Sequence, residues 1–227
     1  MAKTASLVIV RHGESELNKT DQFAGWLDPG LTPKGVEEAK RVGQTLKAAA
    51  FMPDIVYVSP LKRTQDTATI ALKEMGQDIK PVVNQDIIER FYGGLTGLNR
   101  VETKAKFGEE KFLEYRRSYD TPPPPIDASH PDYEMLKAKF GEKLPASECL
   151  KDVVARVQRF WDEVLSKDLK AGKKVLISAH GNSLRALVML LRKMTPEDVK
   201  NFEVHRAEPV EFTFDADTLK VISEKPM

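Results

Sequence analysis

Two apolar segments that lie far apart in the sequence each run directly into a histidine. Residues 7–10 are four consecutive apolar, mostly β-branched residues, which predict a buried strand, and Arg11 and His12 follow them. Residues 175–179 form a second, mainly apolar run, and His180 follows it. In an open α/β sheet, ligands bind at the carboxyl ends of the strands. We therefore predict that the two histidines meet at one site in the folded chain.

A glycine follows each of these histidines, Gly13 after the first and Gly181 after the second. Glycine has no side chain, so it allows close approach between its backbone and another group. We expect Gly13 to let the backbone come close to a ligand bound at the strand end.

Strand and helix patterns alternate over most of the chain. Thr32 followed by Pro33 is a typical helix start, and apolar residues then recur at helical spacing up to residue 50. Alternation of this kind predicts one α/β domain over residues 1–227 with a largely parallel sheet. The other predicted elements are strands at 54–58, 82–83 and 175–179, helices through residue 75, from 152 to Gly172 and over 184–191, and a closing hairpin of 210–214 with 219–221.

Residues from about 95 to 150 lack clear periodicity. We interpret this region as an insertion lying over the sheet, with one short helix around 109–115. Four consecutive prolines at 122–125 cannot lie inside a helix and favour polyproline II. The tract is either a stiff loop or, less expectedly, a ligand for an SH3-type domain.

The composition argues against several classes of function. Thirty-five Lys and Arg residues balance 34 Asp and Glu residues, so the net charge of +1 predicts neither nucleic-acid nor membrane binding, and any positive site must be local. The single cysteine, Cys149, excludes an intramolecular disulfide and fits a reduced compartment. No apolar run approaches the length of a membrane span or a signal-peptide core. We expect a cytoplasmic protein.

The polar residues expected near the strand ends form a set suited to phosphate. Phosphoryl transfer needs positioned cations and hydrogen-bond donors, and neutral imidazole supplies a nucleophilic nitrogen. Neighbouring arginines would disfavour protonation of His12, and Glu89 would carry the proton. No acidic cluster suited to magnesium is present, so the prediction includes no metal. The set comprises Arg11, His12, Arg63, His180 and Asn182 from strand ends, with Glu89, Arg116 and Arg117 from the less regular middle.

Each of these residues also has a simpler interpretation when taken alone. His12 could be a core histidine with satisfied hydrogen bonds, Arg63 and Arg117 could form surface ion pairs of little energetic value, and Glu89 could be a solvated loop residue. The combination of His12 with Arg11 and the matching His180 favours the phosphate site.

The motif formed by residues 11–14, Arg-His-Gly-Glu, resembles the signature of the histidine phosphatase superfamily. Over nearly the whole chain the sequence is similar to the cofactor-dependent phosphoglycerate mutases of that superfamily. The similarity is carried by Ser15, Glu16, Asn18, Phe23, Gly25, Trp26, Asp28, Leu31, Thr32, Lys34 and Gly35, by Ser59, Leu61 and Arg63, by Glu89, Arg90, Tyr92, Gly93 and residues 95–97, and by residues 107–109, 115–118, 122–125 and 179–185.

The resemblance implies a fold, a reaction and a role for each matching residue. The implied sheet is mixed, with helices on both faces and the active site at the carboxyl ends of the strands, and a homodimer is the common state. The implied reaction interconverts 3-phosphoglycerate and 2-phosphoglycerate through a phosphohistidine on His12, with 2,3-bisphosphoglycerate as intermediate and primer. Glu89 would be the general acid and base, and Arg11, Arg63 and His180 would hold the phosphoryl group. The implied substrate-binding residues are Asn18, Ala24, Gly25, Tyr92, Arg100, Arg116, Arg117, Gly181 and Asn182.

Several positions depart from the mutase pattern and leave alternatives open. A mutase must keep water away from phosphohistidine, whereas a phosphatase must admit it, and a short tail favours hydrolysis. The alternatives are a phosphatase or bisphosphoglycerate-handling relative and, in a different class, a non-catalytic scaffold. The departures are Leu17 for tryptophan, Ala24 for threonine, Phe91 for histidine, Arg100 for lysine, residues 205–209 for a proline-threonine-glycine segment, and a short segment after Val221.

Overall fold

A six-stranded mixed sheet forms the centre of the structure, a computed structural model that describes residues 3–227. The strand order is β3-β2-β4-β1-β5-β6, in which β1 to β4 are parallel, β5 is antiparallel to β1, and β6 is antiparallel to β5. The predicted fold class is confirmed. The strands are β1 (Thr4–Arg11), β2 (Ile55–Val58), β3 (Val82–Val83), β4 (Lys174–Ala179), β5 (Val210–Asp215) and β6 (Val221–Pro226).

Helices cover both faces of this sheet. Successive residues of a strand point to opposite faces, so Leu7 and Ile9 of β1 pack in one core while Val8 and Val10 pack in the other. The helices are α1 (Glu16–Lys19), α2 (Pro33–Ala48), α3 (Lys62–Met75), α4 (Arg100–Phe107), α5 (Glu109–Arg117), α6 (Tyr133–Phe140), α7 (Leu150–Phe160), α8 (Ser166–Lys170), α9 (Gly181–Arg192) and α10 (Pro196–Lys200). None of the helices within residues 3–227 has the length and apolar character needed to cross a bilayer.

The two cores explain why β1 and β4 have nearly continuous apolar sequences. The first contains side chains of α7 and α9, such as Val157 and Leu187, and the second contains side chains of α2 and α3, such as Leu46 and Leu72. A strand buried on both faces has no polar face, so alternation is lost. The predicted helix that ends at Gly172 consists of α7 and α8 joined by a π-helical turn at Trp161–Leu165.

The prediction of one short helix in the insertion was incomplete, because α4, α5 and α6 all lie there. The first is started by Asn99, whose Oδ1 accepts from the backbone N–H groups of Val101 and Glu102. Each of these helices buries a single residue within its span, so its apolar face is too narrow to give a clear helical period.

The proline tract is packed against the backbone of a neighbouring turn. The Gly94 N–H donates to the Pro124 carbonyl at 2.8 Å, and a Cβ at Gly93 would lie 2.2 Å from the same oxygen. Pro123 is buried. These contacts favour the stiff-loop interpretation of the tract over a free ligand for another domain.

The structure gives glycine at position 13 a reason different from the expected one. A Cβ on Gly13 would lie 2.4 Å from the carbonyl oxygen of Gly35, and a Cβ on Gly35 would lie 2.0 Å from the carbonyl oxygen of Glu14. Both distances are far shorter than any real Cβ contact. The two glycines therefore let the loop after β1 pack directly on the first turn of α2, which fixes the backbone next to His12.

Candidate active site

His12 and His180 are brought together by the pairing of β1 with β4. These strands are parallel neighbours in the register Arg11 to Ala179, so the residue after each strand reaches the same edge of the sheet. The His12 backbone N–H donates to the Ala179 carbonyl at 3.0 Å, and the two imidazole centroids are 5.1 Å apart in an edge-on arrangement.

Hydrogen bonding assigns the tautomer of His12. Its Nδ1 lies 2.7 Å from the Gly13 carbonyl oxygen, which can only accept, so Nδ1 carries the proton. Its Nε2 lies 3.3 Å from Arg63 Nε, which can only donate, so Nε2 presents a lone pair. Complete burial, followed by the charges of Arg63 and Arg11, holds the pKa of His12 well below its usual value. His12 is therefore a neutral imidazole with Nε2 available for nucleophilic attack.

Arg63 lies at the start of α3 and is held rigidly. Its Nη1 donates to the Leu27 carbonyl at 2.7 Å and its Nη2 to the Gly25 carbonyl at 2.9 Å. Burial lowers the pKa of Arg63 to about 10, which leaves the guanidinium charged at neutral pH. The side chain is thus a fixed cation beside Nε2 of His12.

Glu89 is buried at the side of the same cavity. Its Oε1 accepts from the backbone N–H groups of Arg90 at 2.7 Å and Asn182 at 3.2 Å. Its backbone carbonyl accepts from Trp26 Nε1 at 2.5 Å and from Arg156 Nη2 at 3.0 Å. No hydrogen bond to Oε2 is made within residues 3–227, so this oxygen is the one available to carry a proton.

His180 is fully buried, with its ring edge-on to that of His12. Its Nε2 is 2.7 Å from Ser59 Oγ, while its Nδ1 is buried and makes no hydrogen bond with the described residues. Burial, followed by the charge of Arg63, holds the pKa of His180 well below its usual value. A buried polar atom without a partner is costly, which indicates that a ligand satisfies it.

The sequence-predicted residues surround one cavity of about 140 Å³. All of them except His180 line it. The lining residues are Arg11, His12, Asn18, Ala24, Gly25, Arg63, Glu89, Tyr92, Arg100, Arg116, Arg117, Gly181, Asn182, Arg185, Glu203 and Val204.

The cavity is strongly cationic although the chain is nearly neutral. Six arginines and two carboxylates line it. Three of these arginines, Arg11, Arg100 and Arg185, have a buried Nε atom without a hydrogen-bond partner among the described residues. Such donors require acceptors, so the arrangement is suited to a small molecule with several anionic groups.

The substrate-side wall is a connected hydrogen-bond network. Asn182 donates through Nδ2 to the Tyr92 hydroxyl at 3.0 Å and accepts at Oδ1 from Arg185 Nη1 at 3.0 Å. Burial raises the pKa of Tyr92, but the charges of Arg90 and Arg100 outweigh it and the net shift is downward. The hydroxyl is consequently a ready hydrogen-bond donor.

Most of the remaining predicted residues reach the cavity from α1, α4, α5 and α9. Arg100, at the start of α4, pairs with Asp21 at 2.8 Å. Asn18 Oδ1 accepts from the Ser15 N–H at 3.2 Å in the capping box of α1. Arg116 and Arg117 end α5, and Gly181 begins α9.

Three lining residues had no assigned role in the sequence analysis. Arg185 lies three residues after Asn182 on α9, so helical spacing from the predicted site would have found it. Glu203 and Val204 lie in an irregular loop after α10, where no periodicity marks them. Within residues 3–227, no group of three or more His, Cys, Asp or Glu side chains is arranged to hold a metal ion.

The two buried histidines predict a loss of stability in mild acid. The pKa of each lies below 6.5 in the folded state, so below about pH 6.5 the unfolded chain binds protons that the folded chain does not. Each contributes a fall in unfolding free energy of about 1.4 kcal/mol per pH unit, down to its folded pKa. Urea unfolding over this pH range should show that the unfolding free energy of His12→Gln depends less steeply on pH than that of the unsubstituted protein. The exposed control His205→Gln should keep the slope of the unsubstituted protein. Identical slopes of unfolding free energy against pH in the two variants would contradict the lowered pKa of His12.

Comparison with known proteins gives the family. The model of the histidine phosphatase superfamily, branch 1, matches residues 7–224. A 2,3-bisphosphoglycerate-dependent phosphoglycerate mutase of Rhodococcus jostii is 45% identical over 93% of this chain and 86% of its own length. Those of Nocardia farcinica and Borreliella afzelii are 46% and 44% identical, each over 93% of this chain and 87% of their own lengths.

Solved structures of phosphatases share the fold. A mycobacterial glucosyl-3-phosphoglycerate phosphatase has a TM-score of 0.73 at 20% identity, over 98% of this chain and 97% of that chain. A phosphoserine phosphatase mutant from Entamoeba histolytica has a TM-score of 0.69 at 22% identity, over 97% of this chain and 96% of that chain. The structural likeness shows the fold, and the family model with the closer sequence relatives shows that this chain belongs to the histidine phosphatase superfamily, within its family of 2,3-bisphosphoglycerate-dependent phosphoglycerate mutases.

Proposed function

We propose that this protein is a phosphoglycerate mutase, which interconverts 3-phosphoglycerate and 2-phosphoglycerate in glycolysis and gluconeogenesis. The observation that carries the proposal is the unprotonated Nε2 of His12 beside Arg63, in a small cavity that also contains Glu89. The relatives that are 43–46% identical bear this name.

Phosphoryl transfer would use His12 as the carrier and Glu89 as the proton carrier. The free hydroxyl of the substrate attacks the phosphorus of phosphohistidine, the N–P bond breaks, and Glu89 takes the hydroxyl proton. In the second half, Nε2 of His12 attacks the other phosphorus and Glu89 returns its proton to the departing oxygen. Arg11 and Arg63 stabilise the charge on the transferred group throughout.

The roles on the substrate side follow from position and charge. Arg116 and Arg117 would bind the carboxylate or second phosphate, and Tyr92 and Asn182, which hydrogen-bond each other, would also contact the substrate. His180, through Nδ1, would hold the transferred phosphoryl group. Asn18, Ala24, Gly25, Arg100 and Gly181 would complete the substrate-binding set.

The proposed primer is 2,3-bisphosphoglycerate, and the cavity fits it. Six arginines line the cavity, and the Nε atoms of Arg11, Arg100 and Arg185 have no partner among the described residues, which supports a ligand with several anionic groups. When bound, this molecule supplies the phosphoryl group that charges His12. We propose no metal in the reaction, because the arginines provide the positive charge that the transferred group requires.

A phosphatase is the second candidate, and the carboxyl-terminal strand favours considering it. Residues 221–226 form β6 at the edge of the sheet, and none of them lines the cavity. Among the described residues, cover over the site comes from the insertion and from the loop after α10, whose Glu203 and Val204 line the cavity. Where this cover is incomplete, water reaches phosphohistidine and hydrolysis competes with transfer.

Two rates on one preparation test the proposal. Catalytic amounts of 2,3-bisphosphoglycerate should stimulate interconversion of the monophosphoglycerates, and EDTA should have no effect. Isomerisation should exceed release of inorganic phosphate by at least about tenfold. Faster phosphate release than isomerisation would establish the phosphatase, and full dependence on manganese or cobalt would exclude the proposed mechanism.

We also propose a cytoplasmic homodimer. The edge strand β3 pairs only with β2, and its two residues, Val82 and Val83, are 44% and 53% exposed. An exposed apolar strand edge is a ready surface for pairing with a second chain. Light scattering should give twice the mass of one chain, and Val83→Lys should shift the protein toward monomer. A monomer at micromolar concentration would refute the proposal.

A further inference from the structure

Glu203 is a carboxylate in a cavity otherwise built for anions. Of the two carboxylates that line the cavity, Glu89 is only 8% exposed and is fixed by two backbone N–H groups. The Glu203 side chain is 51% exposed and forms an ion pair with Nη2 of Arg117. Nothing in the phosphoryl-transfer steps uses Glu203.

The ion pair gives one of two adjacent arginines a bound partner and leaves the other without one. Arg116 and Arg117 are the last two residues of α5, and both line the cavity. The Arg116 side chain makes no hydrogen bond or ion pair with the described residues, whereas Arg117 is bound by Glu203. The hydrogen bond from Arg117 lowers the pKa of Glu203, so the carboxylate is charged at neutral pH.

The pair also links two separate parts of the fold across the cavity. Arg117 ends a helix of the insertion, and Glu203 lies in the loop after α10. Because the Glu203 side chain is half exposed, water can solvate it when it leaves Arg117. An exposed ion pair of this kind is weak enough for a competing anion to displace.

We propose that Glu203 is a specificity-determining residue that competes with the second anionic group of the substrate for Arg117. This inference rests on the proposed function. A phosphate monoester that also carries a carboxylate or a second phosphate must displace Glu203 to reach Nη2 of Arg117. A monoester without a second anion leaves the ion pair intact. Glu203 therefore weakens binding of the doubly anionic ligand and assists its departure.

The test compares two ligands on the Glu203→Gln variant by isothermal titration calorimetry. The ligands are 3-phosphoglycerate and glycerol 3-phosphate, which share the phosphate monoester and differ in the carboxylate. The dissociation constant for 3-phosphoglycerate should fall about threefold to tenfold, and that for glycerol 3-phosphate should stay within about twofold. The matched control is Glu197→Gln, which removes one exposed charge on α10 outside this cavity and should change neither constant.

An Arg117→Ala background separates competition from a general charge effect. There, Glu203→Gln should leave the dissociation constant for 3-phosphoglycerate unchanged, because the contested cation is gone. Glu203→Ala provides a second removal of the carboxylate. Weaker or unchanged binding of 3-phosphoglycerate in both Glu203 variants, or an equal gain for both ligands, would overturn the inference. Failure of the proposed function is read separately, from the ratio of isomerisation to phosphate release on the unsubstituted protein.

Discussion

His12→Ala is expected to abolish turnover, lowering kcat by at least about ten-thousandfold. The substitution removes the only nucleophilic nitrogen that the described cavity places beside Arg63. His180 is not expected to replace it, because its proposed role requires a protonated Nδ1 that donates to the phosphoryl group, while its Nε2 is held by Ser59. Steady-state kinetics with monophosphoglycerate and primer measure the effect.

The matched control for that substitution is His205→Ala. His205 is exposed and does not line the cavity, so its removal should leave kcat within about twofold. Circular dichroism and thermal unfolding check that both variants fold. Unchanged turnover in His12→Ala would refute both the mutase and the phosphatase, since each passes through a phosphohistidine.

Arg156→Met is expected to lower the unfolding free energy by about 3–5 kcal/mol. Arg156 is 8% exposed and donates through Nε and Nη2 to Glu148, which is 6% exposed. Its Nη1 donates to the Asp86 carbonyl at 2.6 Å and its Nη2 to the Glu89 carbonyl at 3.0 Å. Losing the guanidinium would leave a buried carboxylate and two carbonyls without these donors.

The same substitution should affect catalysis through Glu89. Glu148 also accepts from the Phe91 N–H at 2.8 Å, so the pair holds the backbone on both sides of Glu89. In the folded fraction, kcat should fall more than KM rises, because the general acid and base loses its position. Urea unfolding and kinetics at a temperature below the unfolding transition measure the two effects separately.

Arg159→Met is the matched control, one turn further along α7. Arg159 pairs with Asp86, and its side chain is 54% exposed. Its loss should change the unfolding free energy by less than about 1 kcal/mol and leave kcat unchanged. Equal effects of the two substitutions would show that the Arg156–Glu148 pair does not stabilise the fold.

The meeting of His12 and His180 was predictable because of the strands that precede them. Both strands are buried on two faces, so their sequences are continuous apolar runs that identify them without an alternating pattern. Parallel neighbours end at the same edge, and the histidine after each run follows from that geometry. The signal depends on local sequence and one general rule of sheet topology.

Other features depended on contacts between distant segments and left no local signal. The need for Gly13 arises from the carbonyl of Gly35, which the sequence does not place nearby. Arg156 and Glu148 are charged residues of the kind usually exposed, and only the packing of α7 against the segment before Glu89 buries them. Glu203 reaches the cavity from an irregular loop, where side-chain direction has no period.

His12 is expected to carry the phosphoryl group during the reaction. Incubation with radioactively labelled 2,3-bisphosphoglycerate, followed by peptide mapping, shows directly whether it does. We expect a label on His12 that is stable in base and labile in acid, that is discharged rapidly by monophosphoglycerate and only slowly by water, and that is absent from His12→Ala. A label that persists in His12→Ala, or no label on the unsubstituted protein, would contradict it.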